Sequence, residues 1–176
     1  MKTALYTKKG DAGQTSLFSG RRAHKSDPRV AAVGDLDELS ASVGLARVGY
    51  PPANHVLSAA QRAIYAISAM VSAEDRNIEI AFDESEIAAL EAEIDRISAS
   101  LPPLRDFIYP GQAEPSCRLH LARAIARRAE RGVAALNNPA PAHKFKAYLN
   151  RLSDLLFALA READHERGND DTAFVS

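Results

Sequence analysis

The chain has a single cysteine, almost no excess of either charge, and no long uninterrupted run of apolar residues. Each shortage excludes something. Cys117 alone cannot form an intrachain disulfide framework or a thiolate metal site, and its isolation suits a reducing compartment. A formal net charge of -1 gives neither nucleic acid nor an anionic membrane a global attraction, so anion binding must come from local clusters. No stretch approaches a membrane span by its run of apolar residues, and Met1 to Tyr6 lacks the apolar core of a secretory signal. The expected location is the cytoplasm, with neither a membrane nor a nucleic acid as partner. His24, His55, His120, His143 and His165 show no ligand spacing, so no metal held by protein side chains is expected. The GxxxxGK[ST] phosphate loop is missing too, as are a catalytic triad and a catalytic-base pair.

What is present reads as one helical domain spanning residues 1–176. Hydrophobic residues make up 46% and charged residues 26%, enough apolar side chain to build a substantial core. A polar, glycine-rich opening runs to residue 27, and Asp27-Pro28 then supplies an N-cap followed by proline at the first helical position. Ala32, Leu36, Leu39, Val43 and Ala46 step by three or four, one helical stripe, until Pro51-Pro52. Leu57, Ala60, Ile64, Ile67 and Val71 form a second stripe. Phe82 to Ile87 resembles a capping box with a hydrophobic staple, opening a third helix through Ile87, Leu90, Ile94 and Ile97. Pro102-Pro103 stops that helix and begins a loop over 102–113. A fourth helix carries Ala122, Ile125, Ala129, Val133 and Leu136 up to Asn137-Asn138-Pro139. A fifth carries Phe145, Leu149, Leu152, Leu156 and Leu159, ending near Gly168. Strand-like alternation is weak and no internal repeat is visible. Five such stripes with short connections predict an all-α, antiparallel helical bundle.

The chemistry lies off these stripes. His120, Arg123, Arg127, Glu130 and Arg131 fall opposite the apolar seam of the fourth helix, with Arg128 on another flank. Asn150, Asp154, Phe157 and Arg161 share a non-core face of the fifth. A charged stripe is ordinarily a solvated face. Yet Arg123, Arg127 and Arg131 repeat at i,i+4, a like-charge spacing that is mildly destabilising unless an anion or carboxylate intervenes. Phe157 among polar neighbours asks for a covering surface, and a subunit interface holding an anion would satisfy both. The segment Thr7-Lys8-Lys9-Gly10-Asp11-Ala12-Gly13-Gln14-Thr15-Ser16, followed by Arg21, Arg22 and Lys25, has the glycines, hydroxyls and cations of an anion-binding loop. On composition alone, an ordinary flexible N-terminal loop is the better reading.

Together these segments resemble the PduO-type ATP:cob(I)alamin (corrinoid) adenosyltransferases. Three blocks carry the resemblance: Tyr6 to Lys25 with the TKxGDxGxT pattern, DPRVAAVGDLDEL from Asp27 to Leu39, and a C-terminal pair. The pair is RAIARRAER (Arg123 to Arg131) and YLNRLSDLLFALAR (Tyr148 to Arg161). The resemblance implies a homotrimer of helical bundles with ATP between subunits. It places Thr7, Lys8, Lys9, Gly10, Thr15, Ser16 and Lys25 on the triphosphate of an ATP–Mg²⁺ complex. Arg127, Arg128, Glu130, Arg131 and Asn150 complete that nucleotide site. Asp37 matches an acidic position that pairs with Arg123 across the interface, and Phe107 an aromatic that crowds the lower face of a bound corrinoid. The implied catalytic set is therefore Arg127, Asp37, Arg123 and Phe107. The reaction implied is transfer of the 5′-deoxyadenosyl group from ATP to cobalt(I) of cobalamin or cob(I)yrinic acid a,c-diamide, with release of triphosphate. A corrinoid reductase and an adenosylcobalamin-dependent enzyme are the further partners such a reaction admits. Two departures stand out: Phe107-Ile108-Tyr109-Pro110-Gly111-Gln112 where the family reads close to FILPGG, and Lys9 where Thr or Asn is common. A non-catalytic, ATP-responsive carrier of adenosylated corrinoid and a helical protein-interaction module are the alternatives.

Overall fold

The computed structural model describes residues 6, 8–73, 80, 82–136 and 142–173. Five helices form the body: α1 (Pro28–Gly49), α2 (Asn54–Ala73), α3 (Glu84–Ser100), α4 (Glu114–Ala134) and α5 (Ala142–His165). The all-α bundle read from the stripes is the architecture found. The N-terminal segment is more than a loop, however: β1 (Gln14–Ser16) and β2 (Arg22–His24) pair antiparallel, with Thr15 opposite Ala23. Three-residue strands are too short to leave an alternation signal, which is why none is visible in the sequence.

Local chemistry sets the helix starts. The Asp27 carboxylate accepts from the Arg29 amide at 2.8 Å with Pro28 in the first turn. At α3 Asp83 accepts from the Ser85 amide at 2.7 Å, and its hydrogen bonds to Ser85 hold this exposed carboxyl below its ordinary value. Phe82, one partner of the expected staple, packs edge-on to Phe145 and Tyr148, with centroids 5.5 and 5.4 Å away. Pro51–Ala53 does not simply stop α1 but forms a 3-10 turn leading into α2. α4 opens with Pro115 in its first turn, where Ser116 Oγ accepts from the Ala113 amide at 3.2 Å. The Asn137-Asn138-Pro139 stop lies outside the described residues.

All the α1 and α2 stripe residues are essentially inaccessible, and so are those of α5. On α3 only Leu90 and Ile97 are fully buried, with Ile87 and Ile94 partly so. α5 buries more than one stripe, adding Tyr148, Leu155, Ala160 and Ala163, because it packs against both α4 and α3. α4 runs antiparallel to α1. Arg118 near its start donates to the Leu45 carbonyl at 3.2 Å, while Gly132 near its end lies against Ala32 and Asp35. A Cβ at Gly132 would sit 2.9 Å from an Asp35 oxygen, so glycine permits that approach.

One expectation needs correcting. The segment Pro51–Ala73 is long and apolar enough, by length and composition, to cross a membrane. Its alanines and serines break up the large apolar side chains, so no continuous run is obvious in the sequence. Leu57, Ala60, Ile64, Ile67 and Val71 are buried in the core that α2 shares with α1.

Candidate functional site

Two concavities gather the expected residues, toward opposite ends of the bundle. The first belongs to the N-terminal hairpin. It is a cleft of about 380 Å³ lined by Lys9, Gly10, Gln14, Thr15, Ser16, Arg22 and Lys25. Turns hold its rim, with the Asp11 amide donating to Lys8 O at 3.3 Å and the Gly13 amide to Gly10 O at 3.2 Å. Lys8 adopts the left-handed region (φ 58°), a conformation that turns successive amides toward one side. Arg22 crosses the cleft, donating to Lys9 O at 2.9 Å and Ser16 Oγ at 3.3 Å. The hairpin is anchored to the far end of α2, where Phe18 N donates to Ser72 Oγ at 2.8 Å. Three cations, two hydroxyls and a glycine turn in one cleft, with no carboxylate lining it, form a surface suited to a polyanion.

The second concavity lies beneath the 102–113 loop, at the end where α4 begins. It has a volume of about 650 Å³ and is walled mainly by apolar side chains of α3, the loop and α5. His120, Arg123 and Arg127 enter from α4, Asp154, Phe157 and Arg161 from α5, and Phe107 stands at the rim, 89% exposed. Leu104 and Tyr109 are exposed beside it, giving the mouth an apolar edge.

Charge in this chamber is poorly compensated. The Arg123 guanidinium lies 6.0 Å from the Phe157 ring centroid, and its Nε is buried without a hydrogen-bond partner. Burial, then the positive charge of Arg127, lowers the Arg123 pKa from its usual value. His120 meets the same ring edge-on at 5.9 Å. Burial is the main cause that pushes its imidazole pKa down, with Arg123 adding to the effect, and Nδ1 has no hydrogen-bond partner among the described residues. The sequence put His120 and Arg161 on a non-core face. Both are buried, at 6% and 9% exposure, because the loop and the C-terminal segment fold over that face. Arg161 forms a fork to Asp171 at 2.6–3.2 Å and also donates to the Pro102 carbonyl at 2.8 Å. Phe157 is already half-covered by His120 and Arg123 of its own chain, so its cover does not by itself demand a partner subunit.

Of the expected site residues, Lys9, Gly10, Thr15, Ser16 and Lys25 come together in the hairpin cleft, and Phe107, Arg123 and Arg127 around the chamber. Lys8, Asp37, Arg128, Glu130, Arg131 and Asn150 line neither concavity. Thr7 lies outside the described residues. Arg128 is engaged within its own chain, by Asp35 at 3.5 Å and by a close ion pair with Glu38. Asp37 is exposed and forms no ion pair among the described residues. Arg131 donates to the Arg127 carbonyl at 2.9 Å, and Asn150 Oδ1 accepts from Arg151 at 3.1 Å. The sequence reading left Arg22, His120 and Asp154 out of the site. Arg22 was legible from its place in the cationic segment, and His120 and Asp154 from the off-stripe faces they share with Arg123 and Phe157.

The chain matches the family model described as cobalamin adenosyltransferase over residues 5–163. It is 44% identical over 169 residues to the corrinoid adenosyltransferase PduO of Citrobacter freundii, covering 93% of this chain and 50% of that protein. The chain thus spans about half the length of the PduO relatives, a share that also holds for the Salmonella typhimurium protein at 43% identity. A corrinoid adenosyltransferase of Bacillus subtilis is 36% identical over 177 residues, covering 97% of this chain and 91% of that one. Among solved structures, a variant PduO-type ATP:corrinoid adenosyltransferase from Lactobacillus reuteri, complexed with cobalamin and ATP, superposes with a TM-score of 0.91. Its sequence identity is 30%, covering 97% of this chain and 96% of that one.

Proposed function

The chain belongs to the cobalamin adenosyltransferase family, and from that premise we propose that it transfers the 5′-deoxyadenosyl group of ATP to cobalt(I) of a corrinoid. Cobalt attacks the 5′ carbon, the bond from that carbon to the triphosphate oxygen breaks, and inorganic triphosphate leaves. Cobalamin is the acceptor we favour, with cob(I)yrinic acid a,c-diamide as the simpler corrinoid of the same chemistry. Cobalt(I) is a strong nucleophile in its own right, so the protein needs to supply alignment and stabilisation of the leaving charge rather than an activated side chain.

The observation that carries this reading is the chamber itself, an apolar space of about 650 Å³ with Arg123 and Arg127 on one wall and an exposed phenyl ring at its mouth. Apolar walls suit the flat face of a large macrocycle, and the Arg127 guanidinium, without a carboxylate partner among the described residues, suits departing phosphate. In our assignment Lys8, Lys9, Gly10, Thr15, Ser16 and Lys25, together with Thr7, wrap the triphosphate. Arg127, Arg128, Glu130, Arg131 and Asn150 complete the nucleotide site. Among the described residues no group of His, Cys, Asp and Glu is arranged to hold a metal ion, so Mg²⁺ would arrive on the phosphate oxygens as part of the substrate.

The hairpin cleft and the chamber share no lining residue and sit toward opposite ends of one bundle, which supports a nucleotide held between two copies of the chain. We therefore propose a homotrimer in which Asp37 of one subunit pairs with Arg123 of the next. Exposed Leu45 and Val48 on α1 and Leu121 on α4 are suitable apolar contacts for that interface. Phe107 is assigned to the lower face of the corrin ring. There it occupies the space of the lower axial ligand without offering a donor atom, which makes cobalt(II) easier to reduce.

The test is an anaerobic assay with pre-reduced cobalamin and MgATP, following the corrinoid by absorption and the phosphate product by chromatography. Adenosylcobalamin and triphosphate in equal amounts are expected. Binding of both substrates without either product would leave a carrier and overturn the proposal.

A further inference from the structure

Gln112 stands where the family's loop usually carries glycine, and the structure gives it two anchors. Its backbone N–H donates to Asp164 Oδ2 at 3.2 Å, and its side-chain Nε2 to Thr172 Oγ1 at 2.6 Å. Thr172 also reaches across Pro110-Gly111, its carbonyl accepting from the Tyr109 amide at 3.0 Å. Ile108 bridges antiparallel to Ala173. At the other end of the loop, Arg161 ties the Pro102 carbonyl to Asp171. The segment after α5 is thus laced to the 102–113 loop at both ends. The next link is Gly111, whose φ of 84° and closeness to Cys117 leave no room for a side chain; a Cβ there would lie 2.5 Å from the sulfur.

Asp164 is the unusual member. It is only 7% exposed, it has no ion pair among the described residues, and its Oδ1 is buried with no hydrogen-bond partner. The nearby arginine of α5, Arg161, is committed to Asp171. A buried carboxyl oxygen left without a hydrogen bond is costly. Among the described residues, the Asp164 side chain accepts one hydrogen bond, the charge-assisted bond from the Gln112 amide. Phe107, five residues earlier, is 89% exposed, so burial contributes little to holding it and the anchors of the loop backbone set where its side chain starts.

We propose that Asp164 and Gln112 are positioning residues that set the loop carrying Phe107 at the mouth of the chamber. The link to chemistry rests on the assignment of Phe107 to the corrin lower face; the link to loop geometry does not. In this account Asp164 acts on the backbone of the loop, Gln112 and Thr172 fasten it to the C-terminal segment, and none of the three touches substrate.

The test uses the full chain with three substitutions. Asp164→Ala removes the acceptor, Asp164→Asn keeps a carbonyl oxygen in its place, and Gln112→Gly removes the side-chain anchor while adding the backbone freedom of glycine. Amide hydrogen exchange over residues 104–112 in the substrate-free protein reads the latch directly. The ratio of the cobalt(II)-initiated to the cobalt(I)-initiated adenosylation rate at saturating MgATP reads its consequence. Asp164→Ala is expected to speed exchange by about tenfold or more, the order of one lost charged hydrogen bond, and to lower the rate ratio by a similar factor with KM for ATP unchanged. Asp164→Asn should lie near wild type on both measures, and Gln112→Gly between the two. Wild-type exchange in Asp164→Ala would overturn the latch, as would equal impairment of the Asn and Ala variants. Faster exchange with an unchanged rate ratio would overturn the positioning role. Should Asp164→Ala fail to fold, Gln112→Gly and Thr172→Val carry the same two measurements, with wild-type values in both overturning the proposal. A wild-type protein that makes no adenosylcobalamin would instead remove the functional premise, while the exchange data would still decide the latch.

Discussion

Arg127 projects from α4 into the chamber with no carboxylate partner among the described residues, and its neighbours one turn either way are Arg123 and Arg131. Such a cationic row is mildly unfavourable in the unliganded helix and becomes useful when negative charge grows beside it. Arg127→Lys keeps the charge but loses the planar fork. Turnover should fall by about 10²-fold, the scale of one lost transition-state donor, with circular dichroism unchanged. Activity within a factor of two of wild type would remove Arg127 from the triphosphate. The exposed ring of Phe107 makes a different prediction, because nothing in the fold depends on its burial. Phe107→Ala should leave adenosylation from pre-reduced cobalt(I) moderately intact. Reaction from cobalt(II) with a mild reductant should collapse, and the absorption of four-coordinate cobalt(II) in the ATP complex should disappear with it. Equal losses from both starting states, with that absorption retained, would remove Phe107 from the lower face of the corrin ring.

Among the elements, α1 depends most visibly on its cap. Asp27 satisfies the Arg29 amide and also pairs with Arg21 at 3.5 Å, so it joins the hairpin to the first turn of the helix. Asp27→Ala should cost about 1 kcal/mol of unfolding free energy, measured as a shift in the urea midpoint at constant m. A change in m would mean that the hairpin had come loose as well. α5 occupies the opposite extreme: packed against α4 and α3 together, it buries residues all round its circumference, and its stability comes from tertiary contact rather than from its ends. α3 contacts fewer neighbours and accordingly buries only half its stripe.

For the molecule as a whole, the proposed trimer carries the largest consequence, since one subunit alone does not bring hairpin and chamber together. Sedimentation at micromolar concentration should give a trimer, and an active monomer would refute the shared site. The pair proposed across that interface can be tested separately. Asp37→Asn and Arg123→Ala should each impair activity, and the double variant should be less damaged than the sum, with a coupling of about 0.5–3 kcal/mol. Strict additivity would mean that Asp37 and Arg123 do not meet. Arg128, already engaged by Asp35 and Glu38 in its own chain, should show no coupling to Asp37.

The amino-acid sequence by itself determined the number of helices, their apolar faces and the cap at Asp27. These follow from periodicity and from hydrogen bonds between residues two to four apart, which are local properties of a chain. The long motif blocks likewise made the family legible. The sequence left undecided how many neighbours each helix has, and therefore that α5 would bury far more than its stripe while α3 would bury less. It also left open the fate of the polar residues. His120 and Arg161 read as non-core until the 102–113 loop and the segment after α5 closed over them, through contacts such as Gln112 to Thr172 that join residues 60 apart. Helical phase says which way a side chain points. Whether water, a loop or another helix waits there is decided by tertiary packing, because burial is a property of the neighbours and not of the residue.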